Sequence, residues 1–345
     1  MTLRGGRLMG VEEGDIYLIM AAEQPEADRT HALAEATVER VAGVSCRVRL
    51  RPLNGHGRPP DGSLGFLIHK NVRRGTVRVD GDEPLMEQLR QRIEGLTYLR
   101  LYTEAEPAMA TVTYDADGLT ILDSDRSPWL VPTSLEKVME NLQIMARADA
   151  LRRLESGEGP AALLEPPVVT WGRIRGAEVE RLGHTGETIL EGRDKVYVEV
   201  TNPKSDSART IYVSILDIGL TGRVALVTDS RSFGIQVSPG ESTGVGVDPY
   251  DGPIGVDIRW ADGAPRARPR RESLVIITTD KPHDLRALQG RGAARGDATR
   301  SARPLEAMKD WFSRGTTREM VSSVGPEYLR YFVSHIDFVV VANDP

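Results

Sequence analysis

Across 345 residues there is one cysteine, Cys46. The chain can therefore close no disulfide within itself, a usage that fits a reducing, cytoplasmic setting. Aromatic residues are scarce at 5% of the composition, so Val, Leu and Ile must build the core. No apolar run approaches the ~20 residues that a membrane-crossing helix needs, and the run at Phe338–Ala342 has the length of a strand. No membrane association is expected. The opening MTLRGGRLMGVEEGD lacks the apolar centre of a secretory leader. A basic excess is missing too: the formal net charge is −6, which argues against a general nucleic-acid binder.

Turn-forming residues are plentiful, with 34 Gly and 21 Pro. Frequent turns suit a β-rich chain. The expected fold class is α+β and β-rich, in four stretches. Residues 1–60 should form a small β unit, with strands at Ile16–Met20, Thr37–Val41 and Val44–Leu50. In the last of these, Val44, Cys46, Val48 and Leu50 alternate with Ser45, Arg47, Arg49 and Arg51, so one face is buried and the other wet. Asn54–Ser63 is a loop by composition.

Residues 61–157 read as an α+β domain. Pro84 opens a helix in which Leu85, Leu89 and Ile93 recur at helical spacing, and Gly95 ends it. The Asp115–Gly118 turn joins two strands as a hairpin. A longer helix follows from about Ser134 to Glu155, with a capping-box pattern at Thr133 and Glu136. Residues 163–288 are strand and turn throughout and predict a β-sandwich. Strands are expected at Val196–Val200, Ile211–Ile218, Arg223–Val227, Ile235–Val237, Ile254–Trp260 and Leu274–Thr279. Leu274–Ile277 is continuously apolar, as a central strand is. Residues 289–345 should supply a polar linker, a short helix at Pro304–Phe312 and a closing strand, Tyr331–Val341, that pairs with the sandwich.

The 163–288 stretch carries a family resemblance. It contains a strand with Asn202 near its end, the strand YVSILDI (Tyr212–Ile218), a Gly-x-x-Gly turn, the turn SPGES (Ser238–Ser242) and the strand exit IITTDKPHDL (Ile276–Leu285). This is similar to the C-terminal β-rich region of bacterial caspase-family (peptidase C14-like) proteins, and to a related accessory domain found beside proteases, kinases and surface proteins. GGRLMGVEEGDIYLI and NLQIMARADALRRLES resemble the flanking segments of such proteins. The resemblance implies a non-catalytic region that regulates or targets a caspase-like protease. A protein partner follows from it, the foremost candidate being a caspase-like catalytic domain on another chain or segment. The family's His and Cys protease domain has no counterpart in these residues, so no catalytic residue, cofactor or metal is expected.

The residues give the same expectation. Cys46 falls on the apolar face of a strand, where a thiol is inert. Gly240-Glu241-Ser242-Thr243-Gly244 matches the serine-hydrolase pattern, but that pattern works only at a strand-to-helix turn, and Gly and Val follow here. Asp115 and Asp117 hint at a calcium loop, yet Arg126 stands where a closing Glu is needed. No two of the six histidines have the spacing of a zinc-binding helix face. Loops on a rigid sheet commonly carry binding. The loops Asp229–Phe233 and Pro249–Pro253 and the arginine-rich loop before Leu274 are therefore the candidate contacts, through Arg231, Phe233, Tyr250, Arg266, Arg268 and Arg270. Two further readings stay open. One is a carbohydrate- or ligand-binding sandwich that uses Trp129, Trp171 or Trp260. The other is a hydrolase that uses Ser242 or an unseen carboxylate pair.

Overall fold

Strands whose residues alternate between apolar and polar pair wherever one face can be buried. The computed structural model describes the chain except residues 8–10, 25, 70–73, 97–98, 105, 117, 125, 127, 133, 185–187, 192–193, 229–232, 249, 259–268, 291–316, 322–328 and 342–345. The fold is β-rich, with two α-helices among the described residues. It divides into two units. One is Met1–Arg74 with Gly157–Ala161 and Thr299–Arg330; the other is Gly75–Ser156 with Ala162–Ala298 and Tyr331–Pro345.

In the first unit six antiparallel strands close into a barrel. Their order is Thr2–Arg4, Thr317–Val321, Leu64–His69, Ile16–Met20, Ala34–Val41 and Ser45–Pro52, and the last pairs back onto the first. Closure leaves no sheet edge to aggregate. Leu3, Tyr17, Ile19, Val38, Cys46 and Val48 fill the interior beside Ala34 and Ala36, whose short side chains suit a narrow barrel. The barrel takes in Leu64–His69 and Thr317–Val321, beyond the boundary expected at residue 60. Thr317–Val321 pairs on both sides and so joins two strands that would otherwise be edges. The helix expected at Pro304–Phe312 lies outside the described residues. In the loop after Ser45–Pro52, Asn54 adopts a left-handed conformation (φ 50°). Its amide donates to the carbonyls of Arg29, Thr30 and Ala32 at 3.0–3.2 Å.

The second unit opens with a mixed five-stranded sheet in the order Pro128–Leu130, Gly118–Leu122, Ala110–Asp115, Gly75–Val79 and Leu99–Leu101. Two helices cover it, α1 (Pro84–Glu94) and α2 (Leu135–Arg152). On α1 the buried stripe is Met86, Leu89 and Ile93, while Leu85 is only partly covered. The cap of α2 is Ser134, not the expected Thr133. Ser134 is extended, and its hydroxyl accepts the Lys137 N–H at 3.3 Å, so the first turn starts one residue later.

Two further sheets complete this unit. One has the order Glu178–Leu182, Val168–Arg175, Lys195–Thr201 and Ser242–Val245, with Val256–Asp257 also on Lys195–Thr201. The other has the order Ile189–Glu191, Tyr331–Val341, Arg270–Thr279, Ile211–Ile218 and Val224–Leu226, with Ile235–Val237 also on Ile211–Ile218. Trp171, Val196, Val198 and Val200 of the first share one apolar cluster with Val213, Ile215, Ile276, Ile336 and Phe338 of the second. The Trp171 and Phe338 rings lie 5.6 Å apart. Arg270–Thr279 is central: it runs antiparallel to Tyr331–Val341 on one side and to Ile211–Ile218 on the other. Of the strand expected at Ile254–Trp260, whose last two residues lie outside the described residues, Val256–Asp257 is paired, and the alternation does not set the burial. Ile258 is buried, but Ile254 and Val256 are exposed, and Gly255 turns the chain with φ 70°.

Helix α2 ties these layers together. Arg147 donates through Nη2 to the carbonyls of Leu288 and Gln289. Arg152 Nε donates to Ser273 Oγ at 3.1 Å. His335 Nε2 lies 2.7 Å from the Leu154 carbonyl, just beyond the helix. Trp129 Nε1 donates to the Leu220 carbonyl at 3.1 Å. The expected domains 61–157 and 163–288 thus contribute to a single unit.

Candidate functional site

Hairpin geometry shapes a groove on the barrel surface. Ala34–Val41 and Ser45–Pro52 pair with Ala36 opposite Leu50 and Val38 opposite Val48, which turns these residues inward. The outward positions are polar: Glu35 faces Arg51 and Thr37 faces Arg49. A register shift between Val38 and Arg40 makes Glu39 the extra residue of a bulge and brings Arg40 directly opposite Arg47. Most of this ladder is neutralised. Glu35 accepts from Arg29 and Arg51 at 2.9 and 3.0 Å, and Glu39 lies 3.4 Å from Arg49. Arg40 and Arg47, both exposed, have no ion-pair partner among the described residues. Around them is a groove of about 710 Å³, lined by Glu13, Gly14, Thr37, Val38, Glu39 and the three arginines 40, 47 and 49. The alternation in Val44–Leu50 showed which face was wet. It did not show that a bulge sets two arginines side by side.

A second cluster is internal. Asp217 lies opposite Leu274, which makes Glu272 its diagonal neighbour on Arg270–Thr279. Asp217 Oδ1 and Glu272 Oε2 are both shielded from water and lack a conventional donor. The two carboxyls hydrogen-bond to each other, so one must hold a proton. Burial pushes the Glu272 carboxyl far up, and the Asp217 charge adds to this. Asp217 is raised by burial, partly offset by the Glu272 hydrogen bond and by Arg223 and Arg152. The proton therefore sits on Glu272. A carboxylate pair does exist, but Asp217 Oδ1 and Glu272 Oε2 are closed to solvent and hence to substrate.

Each residue singled out from the sequence can now be placed. Cys46 is 1% exposed and points into the barrel. Ser242 lies in a strand paired with Lys195–Thr201, not at a strand-to-helix turn, and its Oγ is 2.8 Å from Thr201 Oγ1. Trp171 is fully buried, and Trp129 is partly buried, packed against the helix-covered core. Trp260, Arg231, Arg266 and Arg268 lie outside the described residues. Arg270, expected on an exposed loop, is instead a buried strand residue. Its guanidinium reaches the Pro128 carbonyl and lies 3.6 Å from Asp123, contacts that draw it in beneath the mixed sheet's edge strand. Phe233 and Tyr250 are exposed at 57% and 96%. No family model, no curated protein and no solved structure matches the chain.

Proposed function

We propose that this chain is a non-catalytic interaction module whose second unit contains a β-sandwich, and that it regulates or targets a caspase-like cysteine protease. The observation that carries the binding reading is Tyr250, 96% exposed while its own N–H is held by a hydrogen bond. Asp248 Oδ1 accepts the N–H groups of Tyr250 and Asp251 at 2.8 and 3.0 Å, between the paired segments Val247–Asp248 and Gly252–Pro253. Phe233 is likewise exposed while its carbonyl accepts the His283 N–H at 3.3 Å. Exposed aromatics on anchored loops cost little entropy on binding and commonly dominate interface energy. The link to a caspase-like protease rests on the sequence resemblance. The hydrolase and carbohydrate readings draw less support, because Ser242 bonds to Thr201 and Trp171 is interior.

Photo-crosslinking tests the proposal. A benzoylphenylalanine placed at Tyr250 or Phe233 of the full chain, in its own cells, should capture a polypeptide bearing a His/Cys protease domain. The same group at Val168, an exposed strand position, should not. Equal capture at all three positions, or capture of chains without such a domain, overturns the assignment.

A further inference from the structure

We propose that the barrel groove around Arg40 and Arg47 is the docking site for an acidic peptide segment of the protein partner, a step that rests on the interaction reading above. Directly opposed like charges on neighbouring strands destabilise a sheet. Here the bulge at Glu39 creates such a contact, although the same hairpin neutralises its other arginines with Glu35 and Glu39. An arrangement that costs stability and leaves two guanidinium forks facing a groove is suited to a ligand carboxylate, which each fork can bind through two parallel hydrogen bonds.

The lining decides between anions. Glu13 and Glu39 sit in the same groove as Arg40, Arg47 and Arg49. Their charge repels a continuous polyanion, such as a nucleic-acid backbone. A peptide suits the mixture, since its carboxylates can meet the arginines while its uncharged backbone passes the glutamates. The chain's net charge of −6 also disfavours long-range attraction of polyanions. An acidic segment therefore needs this local basic pair to be recognised.

The test uses the full chain and a fluorescein-labelled peptide of alternating Glu and Gly, with a labelled oligo-dT as comparison, both read by anisotropy. The peptide should bind wild type, and the double variant R40Q/R47Q should bind it at least about tenfold more weakly, with the difference shrinking in high salt. R29Q, which removes an arginine already held by Glu35, should bind as wild type does. Removal of the like-charge contact should leave the melting temperature of R40Q/R47Q unchanged or higher. Unaltered peptide affinity in R40Q/R47Q overturns the proposal. So does a lowered melting temperature, which would make the arginines structural, and so does tighter, arginine-dependent binding of oligo-dT. Failure here together with success of the Tyr250 crosslink would remove the groove and leave the interaction reading standing.

Discussion

Arg175 grips Asp194 through both carboxylate oxygens, Nε to Oδ1 at 2.6 Å and Nη2 to Oδ2 at 3.1 Å. The Asp194 side chain is inaccessible to water, and Oδ2 also accepts the Glu191 N–H at 2.9 Å. Burial alone would push its carboxyl up. The hydrogen bonds from Arg175 and Glu191, with the charges of Arg175 and Arg173, more than offset this and hold it below the usual value.

A folded-state carboxyl below its unfolded value contributes stability in full above the unfolded pKa of about 4 and loses it as pH falls through the lowered folded value. D194N is expected to lose about 1–3 kcal/mol near neutral pH, the worth of hydrogen bonds to a buried charge, kept modest by the half-exposed guanidinium. It should also lose less than wild type on further acidification. Urea unfolding at several pH values checks both. A pH slope identical in D194N and wild type would remove the account.

Glu272 works in the opposite direction. Its carboxyl is raised by burial and by Asp217, so the folded state holds a proton that the unfolded chain has released. Stability therefore falls as pH rises above the unfolded value of about 4.3, and continues to fall until the raised folded value is reached. E272Q keeps a donor toward Asp217 and cannot titrate, so it should abolish that slope and exceed wild type by about 1–2 kcal/mol in mild alkali. E272A should destabilise at every pH, because it leaves Asp217 buried without its donor. If E272Q proved as damaging as E272A, the shared-proton account would be lost.

The parts of the fold that could be read from sequence were those set by neighbouring residues. Ser45–Pro52 and Ile211–Ile218 announced themselves by alternation or by apolar content, and Gly95 marked the end of α1. Thr317–Val321 is the counter-example: its sequence TREMV has no apolar alternation, and it becomes a barrel strand only through partners more than 240 residues away. The hairpin of Val168–Arg175 and Glu178–Leu182 was also missed, although Gly176, with φ 61°, marks its turn. The candidate sites were hidden for the same reason. Asp217 and Glu272 stand 55 positions apart, and only strand pairing makes them neighbours. Arg40 meets Arg47 because of a bulge that no local pattern encodes.

Cys46 offers a direct chemical probe of the barrel interior. With the residue 1% exposed, reaction with a disulfide reagent such as DTNB requires the barrel to open, so the native thiol should react at least about a hundredfold more slowly than in guanidinium. The rate should rise with urea in step with unfolding of the first unit. A native thiol that reacts as fast as the denatured one would place the sulfur at the surface and overturn its assignment to the barrel interior.

Asn202 is a buried polar residue that directly follows the strand Lys195–Thr201. It is 1% exposed, and its Nδ2 donates to the carbonyls of Arg209 and Val237 at 2.9 and 3.0 Å. Its own N–H donates to the Glu241 carbonyl, and its carbonyl accepts the Gly240 N–H, at 2.9 and 2.8 Å. The side chain thus fastens the 203–210 loop and the strand Ile235–Val237 to the end of Lys195–Thr201. N202A removes the donor to the buried Val237 carbonyl and to the part-buried Arg209 carbonyl, and should cost about 2 kcal/mol. N202D has nearly the same shape but aims a carboxylate oxygen at those carbonyls, so it should cost more, about 3–5 kcal/mol near neutral pH, and recover part of that in acid as the carboxyl gains a proton. Chemical denaturation of the two variants gives the ordering. If N202D were the milder change, the amide would not be donating to the Arg209 and Val237 carbonyls, and the clamp would not exist as described.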